Sequence, residues 1–134
     1  MLVPLRIPSN WAIRKNWFDY TPLAECKDNE SFFFYSDECL VIEQIFFNSS
    51  GGYWSTKPGG YLIDLGWIPS RSPNGAFHLE IVKAKANPSI AYEREIIYEF
   101  VSSSHDSIRH KIEQALELIN QELPADAIQQ TLAK

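Results

Sequence analysis

The sequence lacks most of the residue patterns that mark catalytic or metal-binding sites. Of its 134 residues only two are cysteines, Cys26 and Cys39, and they form neither a CxxC pair nor a Cys/His pattern at zinc spacing. No HExxH, GxSxG or P-loop motif is present, which disfavours a zinc peptidase, a serine hydrolase and a phosphate-binding loop. We therefore expect no enzyme activity, no metal and no cofactor, and we expect both thiols to be reduced and structural.

Long apolar runs are also missing. The apolar segments are only a few residues long, far below the roughly 20 residues that a membrane helix needs. The opening segment MLVPLRIPSNW contains no apolar stretch of signal-peptide length. We expect a cytoplasmic protein that does not interact with membranes.

Lysine and arginine are absent from one long stretch, Asp28 to Thr56. The whole chain has a formal net charge of -5, whereas a nucleic-acid-binding protein gathers Lys and Arg on one face to neutralise phosphates. A local acidic cluster still attracts an oppositely charged partner at physiological salt, where the screening length is about 8 Å. We expect the acidic residues of this stretch to bind a basic protein; they are Asp28, Glu30, Asp37, Glu38 and Glu43.

Alternating apolar and polar residues, interrupted by turn residues, predict a run of β-strands. The turn segments NSSGG and KPGG favour an antiparallel hairpin whose loop carries Tyr53 and Trp54. In the last predicted strand the pattern places Ile96, Tyr98 and Phe100 on one face and Ile97 on the other. The predicted strands cover 11–20, 39–47, 61–68, 76–85 and 94–104, and the pattern of 30–38 fits either a short helix or a strand.

The remaining segment changes to a helical period. After Ser103 and Ser104, either of which can cap a helix, apolar residues recur every three or four positions up to Pro124. The tail from 124 to 134 is weakly patterned and either frays or adds a short helical turn. The length fits a single domain over 1–134. We predict an α+β fold, a mostly antiparallel sheet of four to six strands with a C-terminal amphipathic helix packed on one face.

Asp64 lies in the middle of a compact apolar strand. A carboxylate among apolar neighbours needs hydrogen bonds, because an unpaired buried charge costs several kcal/mol. We expect Asp64 to accept bonds from backbone amides or from the indole of Trp11 or Trp17, and so to be structural. Gly66 is expected to permit a bulge or a close approach of backbone just before Trp67.

Several aromatic residues lie near predicted loops beside the acidic stretch. Aromatic side chains supply affinity at protein interfaces, and surrounding carboxylates supply association rate and selectivity. The same aromatics are equally consistent with ordinary core residues, and the acids with a solvated face. The predicted partner-binding set is Asp28, Glu30, Tyr35, Asp37, Glu38, Glu43, Tyr53 and Trp54; the predicted structural set is Trp11, Asp64, Gly66 and Trp67.

The segments IPSNWAIRKNWFDY, SDECLVIEQ, YLIDLGWIPS and GAFHLEIVKA together show a further pattern. The chain resembles, over about its first 100 residues, the small bacterial immunity proteins of contact-dependent growth inhibition and related polymorphic toxin systems. The resemblance implies a cytosolic protein without catalysis that binds and blocks one cognate toxin domain, often a nuclease with a basic active site. It implies a scaffold role for Trp11, Asp64 and Trp67, and it carries over no binding residues, because such proteins differ in their binding surfaces.

Two other function classes stay open. A small-molecule or glycan binding module would use Tyr53, Trp54 and Trp67 to stack on a ligand in an open concavity. An enzyme that uses Asp64 as an acid or a base would need Asp64 to line a cleft beside a second titratable group.

Overall fold

The computed structural model describes residues 1–27, 30–86 and 92–134. Two short 3-10 segments, Leu23–Glu25 and Glu30–Tyr35, precede the second strand, so the segment left open by the sequence begins as a 3-10 helix. The regular elements are β1 (Trp11–Asn16), β2 (Leu40–Asn48), β3 (Tyr53–Thr56), β4 (Tyr61–Ile68), β5 (Ala76–Ala86), β6 (Tyr92–Ser102), α1 (His105–Asn120) and α2 (Ala125–Leu132).

The strands form one antiparallel sheet in the order β1-β2-β4-β5-β6, and β3 pairs with the second half of β2. The predicted hairpin between β2 and β4 is present, and its connection holds the additional strand β3. Helix α1 contacts β5 and β6, and helix α2 contacts β6. The structure therefore confirms the predicted α+β class, a sheet with C-terminal helical structure packed on one face.

The core lies between the helices and one face of the sheet. Because side chains alternate along a strand, Ile63, Leu65 and Trp67 of β4 face this core, and their alternate neighbours face away from it. Along β5, Phe77, Leu79 and Ile81 are likewise buried in the core. We call the opposite surface of the sheet, which no helix of the described residues covers, the helix-free face.

Helix α1 begins where the sequence predicted. The Ser104 side chain accepts a hydrogen bond from the Ser107 amide at 3.2 Å, which caps the helix. The tail does not fray: α2 occupies residues 125–132, and its Ile128 and Leu132 are fully buried. Of the two alternatives for the tail the helical one is correct; periodicity could not decide between them because only two of the eight residues of α2 are buried.

The predicted faces of β6 are partly wrong. Ile97 is buried in the core, whereas Ile96 is 45% exposed. Tyr98 pairs with Ile81 and Ile96 pairs with Val82, so Ile97 is an extra residue in a β-bulge. A bulge breaks the two-residue period, and strict alternation across it therefore assigned Ile96 and Ile97 to the wrong faces.

Candidate functional site: an acidic sheet face

Carboxylates from three adjacent strands meet on the helix-free face. Asp64 of β4 pairs with Glu80 of β5, and Glu80 pairs with Glu99 of β6. The core residues that flank each carboxylate along its strand show that all three side chains point away from the helices. Directly opposed side chains of neighbouring strands have Cβ atoms about 5 Å apart. The three carboxylates therefore form one acidic row across the sheet.

Two of the three carboxylates of the acidic row lack an ion pair within the part of the chain that the structure describes. Glu80 and Glu99 form no ion pair with any of the described residues. Like charges that lie directly opposite each other destabilise a sheet, so the isolated protein gains nothing from holding these two side chains together. Two carboxylates that repel each other and lack an internal partner are free to pair with cationic groups from outside the protein.

Asp64 has a different partner from the one the sequence suggested. Its carboxylate accepts a hydrogen bond from Arg94 Nη2 at 3.3 Å, and the expected bond to an indole is absent because the Trp11 indole donates to Asn120 Oδ1 at 3.0 Å. The Arg94 arm crosses from β6 to β4 over the intervening strand β5. Burial raises the pKa of the Asp64 carboxyl, and Arg94 opposes that rise. Asp64 therefore lies half-buried on the helix-free face and does not tie β1 to the sheet.

Gly66 makes the close backbone approach that the sequence predicted. The Trp67 amide donates to the Ser36 carbonyl and the Cys39 amide donates to the Leu65 carbonyl, each at 2.8 Å. The chain between these bonds crosses directly over Gly66, where a Cβ atom would lie 2.0 Å from the Asp37 oxygen. This crossing places the exposed Asp37 and Glu38 beside the acidic row.

Glu38 is electrostatically coupled to the row. Its negative charge adds to the rise in the pKa of Asp64, behind the larger effect of burial. Glu38 also lies 3.5 Å from the ammonium of Lys15 on β1. Both side chains of this pair are well exposed, so the pair adds little to stability. We define the acidic face as Asp37, Glu38, Asp64, Glu80 and Glu99.

Glu43, the other predicted acid whose side chain the structure describes, lies on the helix-free face but is paired there. Glu43 accepts a hydrogen bond from Arg14 Nε at 2.6 Å and another from Thr56 Oγ1. Burial opposes ionisation of Glu43, but these two bonds hold its pKa below the usual value. Arg14 of β1 thus neutralises the Glu43 carboxylate within the protein, and Thr56 of β3 adds a hydrogen bond. Asp28 and the side chain of Glu30 lie outside the described residues.

Tyr35, predicted to bind a partner, is a core residue instead. Its side chain is only 3% exposed and packs edge-on against Trp67, with ring centroids 4.9 Å apart. Its hydroxyl donates to the Thr21 carbonyl at 2.7 Å. Burial raises the pKa of Tyr35 to about 12. The local sequence pattern around Tyr35 did not show whether its ring faces the core or the solvent.

Trp11 and Trp67 are buried and hydrogen-bonded. The Trp11 indole donates to Asn120, which ties β1 to the end of α1. The Trp67 indole donates to the Ser72 carbonyl at 2.8 Å and stabilises the loop after β4. Trp67 is only 6% exposed, so little of its surface is left for stacking on a ligand.

Tyr53 and Trp54 lie far from Asp37 and Glu38. Both aromatic residues are 54% exposed and belong to β3, which pairs with the last residues of β2. Glu38 lies two residues before Leu40, the first residue of β2. The length of β2 separates them by roughly 30 Å, at about 3.3 Å per residue. Asp37 and Glu38 therefore lie at one end of β2, and Tyr53 and Trp54 lie at the other end.

A shallow depression opens within the acidic face. It has a volume of about 200 Å³, and its walls include Ile68, His78, Glu80, Glu99 and Val101. Apolar side chains thus lie beside the two unpaired carboxylates. This combination suits an arginine or lysine side chain, whose stem is apolar and whose head is cationic.

One edge of the acidic face carries exposed aromatic residues that the sequence analysis did not select. Trp17 and Phe33 lie with ring centroids 5.1 Å apart, and Phe32 contacts Phe33 at the same separation. They are between 36% and 42% exposed. The Trp17 amide donates to the Cys39 carbonyl, which places this aromatic edge next to Glu38. The run SFFFYS was the available signal, since three consecutive phenylalanines cannot all face one core.

A larger cleft lies on the helix side of the sheet. Its volume is about 750 Å³, and Tyr35, Trp67, Arg71, Cys26 and His105 are among its lining residues. The His105 ring stacks on Phe18 at 5.6 Å, and burial lowers the pKa of this histidine. Asp64 lies on the opposite face of the sheet, so the cleft does not supply the pairing that an Asp64-based enzyme requires.

The described residues contain no group of three or more His, Cys, Asp or Glu side chains arranged to hold a metal ion. In the same part of the chain, no helix combines the length and the apolar character needed to cross a membrane. Comparisons with models of protein families, with curated proteins and with solved structures give no match.

Proposed function

We propose that this protein is a non-catalytic immunity protein that binds and neutralises a cognate bacterial toxin domain. The partner presents a basic surface, such as the active site of a nuclease, and docks on the acidic face. The observation that carries the proposal is the row of Asp64, Glu80 and Glu99 across three adjacent strands. The sequence resemblance to immunity proteins supplies the class of partner.

The electrostatics of the acidic face suit rapid capture. A nuclease site is built to bind phosphate, so a carboxylate-rich surface can occupy it in place of the nucleic acid. Oppositely charged surfaces also associate faster than neutral ones, and the gain falls as salt rises. Fast capture matters for immunity, because an active toxin damages the cell before it is bound.

The aromatic edge adds the apolar component that a stable interface needs. Charge contributes mostly to rate and selectivity, whereas buried aromatic side chains contribute most of the binding free energy. Trp17, Phe32 and Phe33 are exposed in the isolated protein and adjoin the acidic face. We infer that they are covered when the toxin domain docks.

The first test is complex formation with the toxin domain encoded immediately upstream of this gene. Tagged immunity protein is co-expressed with that domain and purified, and the affinity is measured by calorimetry at low and high salt. The proposal predicts a stoichiometric complex with a Kd well below micromolar that weakens as salt rises. Absence of a complex at micromolar concentrations contradicts it.

A further inference from the structure

A third cavity lies at the far end of β2, away from the acidic face. Its volume is about 300 Å³, and Trp54, Phe47, Asn10, Asn120, Lys57 and Glu122 are among the residues that line it. The segments that contribute them are distant in sequence: the turn before β1, the β2–β3 hairpin and the end of α1. Such convergence of polar and aromatic side chains on one concavity is typical of ligand sites.

Trp54 provides an aromatic wall that is already held in place. Its ring lies 5.5 Å from the Phe47 ring, centroid to centroid, and Phe47 pairs directly with Trp54 across the two strands. More than half of the indole is nevertheless open to solvent. A supported ring with an open surface can stack on a flat apolar surface of a ligand at a low cost in conformational entropy.

The polar lining offers both donors and acceptors. The side chains of Asn10, Lys57 and Glu122 have no hydrogen bond or ion pair with the described residues. The Asn120 oxygen accepts from the Trp11 indole, which leaves the Asn120 NH₂ group to donate. Lys57 and Glu122 carry opposite charges, so the cavity favours a neutral ligand over an ion.

Two of these residues have unusual backbone conformations. Asn10 has φ of 73° and Glu122 has φ of 58°. The left-handed region is accessible to asparagine but costs a glutamate of order 1 kcal/mol. Glu122 follows the end of α1, a position at which glycine is the favoured residue. The carboxylate at the cavity is thus held there at a cost to the fold.

We propose that this cavity binds a neutral saccharide. The C–H face of a sugar ring packs on Trp54, and its hydroxyl groups, each both donor and acceptor, match the mixed polar lining. A purely apolar ligand would leave Asn10, Lys57 and Glu122 without partners, and an ion of either sign would be repelled by Glu122 or by Lys57. This site is independent of the acidic face and of the proposed immunity function.

The test is a titration of the intact protein with cellotriose, maltotriose and tri-N-acetylchitotriose, followed through the NMR signal of the Trp54 indole N–H. At least one trisaccharide is expected to give a saturable shift with a Kd of about 1 mM or tighter. Trp54→Ala, which lacks that indole and is followed instead through the Asn120 side-chain NH₂ signal, is expected to weaken that binding at least tenfold. Trp17→Ala, which removes an exposed indole elsewhere, leaves it unchanged. No saturable shift with any of the three sugars, or equal binding by Trp54→Ala, overturns the proposal.

A second variant separates binding from folding. Glu122→Gly relieves the left-handed backbone, so Tm is expected to rise, and it removes the carboxylate, so saccharide affinity is expected to fall at least threefold. A purely structural role for Glu122 would change Tm alone. Unchanged saccharide affinity in Glu122→Gly therefore overturns the proposal that this cavity binds a saccharide.

Discussion

The carbonyl oxygen of Asp37 occupies the space that a side chain at Gly66 would need. A Cβ atom at residue 66 would lie 2.0 Å from that oxygen and 2.6 Å from the carbonyl carbon. Both neighbours are backbone atoms held by the flanking hydrogen bonds of Trp67 and Cys39, so neither can move without breaking the crossing. Because Gly66 of β4 has no side chain, the segment that contains Asp37 and Glu38 can cross the sheet at this point.

Gly66→Ala is therefore expected to lower the free energy of unfolding by about 3 kcal/mol or more, because overpacking here displaces backbone. Chemical denaturation of the purified variant measures the loss. Gly52→Ala is the matched control. Gly52 has φ of 71° and no atom near its Cβ position, so the expected loss in the free energy of unfolding is only about 1 kcal/mol. Equal losses in the two variants would contradict a steric role for Gly66.

Glu99→Lys is expected to slow association with the toxin domain without destabilising the isolated protein. The variant replaces a repulsion across the Glu80–Glu99 pair by an attraction, so the isolated protein gains up to about 0.5 kcal/mol. Association with the toxin domain is expected to slow about tenfold at low salt. Stopped-flow measurements check the rate. Glu117→Lys makes the same charge change on α1 and serves as the control; a similar slowing there would show that net charge, and not the acidic face, governs association.

Asp64→Asn is expected to leave stability at pH 7 within about 0.5 kcal/mol of the parent, or slightly above it. Burial raises the pKa of Asp64, so the folded protein holds that proton more tightly than the unfolded chain does. Ionised Asp64 consequently lowers stability as pH rises above its ordinary pKa. Thermal melts at pH 7 test this. A loss of 2 kcal/mol or more, on the order of a broken buried hydrogen bond, would mean that the Asp64–Arg94 pair holds the sheet together.

The aromatic edge is expected to dominate the affinity. Trp17→Ala or Phe33→Ala should weaken the toxin complex by at least about 2 kcal/mol, close to 30-fold, with little change in Tm. Calorimetry at one salt concentration measures both variants. Trp54→Ala is the comparison, since it removes an exposed aromatic ring at the other end of β2. If Trp54→Ala costs as much as Trp17→Ala, the interface extends to the β2–β3 hairpin.

Stability is expected to fall as pH decreases below about 6.5, the ordinary histidine value, because of His105. Burial lowers the pKa of His105, so the unfolded chain binds this proton more readily and is favoured as pH falls towards the folded-state pKa. Denaturant unfolding between pH 7 and pH 5 measures the slope. His105→Phe should reduce the slope; an unchanged slope in this variant would exclude His105 as its source.

The strands could be predicted from the sequence where side chains alternate between a core and solvent. The bounds of β4 agree with the predicted 61–68 because turn residues flank it on both sides. The faces of β6 could not be predicted, because the bulge at Ile97 depends on the pairing with β5 and leaves no local signature.

The candidate site was predictable only in part. Asp37 and Glu38 were selected from local charge, and the structure does place them on the acidic face. Glu80 and Glu99 are 19 residues apart in sequence, and only strand register makes them neighbours. The inward turn of Tyr35 likewise depends on packing against Trp67 and Phe77, contacts that no local pattern reveals.

We propose that the acidic face captures and silences a toxin domain. The most direct measurement is the activity of the toxin domain encoded upstream, assayed with one equivalent of the parent protein and of the Glu80→Lys, Glu99→Lys double variant. If the acidic face captures the toxin domain, the parent protein abolishes toxin activity at low micromolar concentration, and the folded double variant leaves most of that activity intact. Undiminished toxin activity with the parent, or full inhibition by the double variant, would contradict the account.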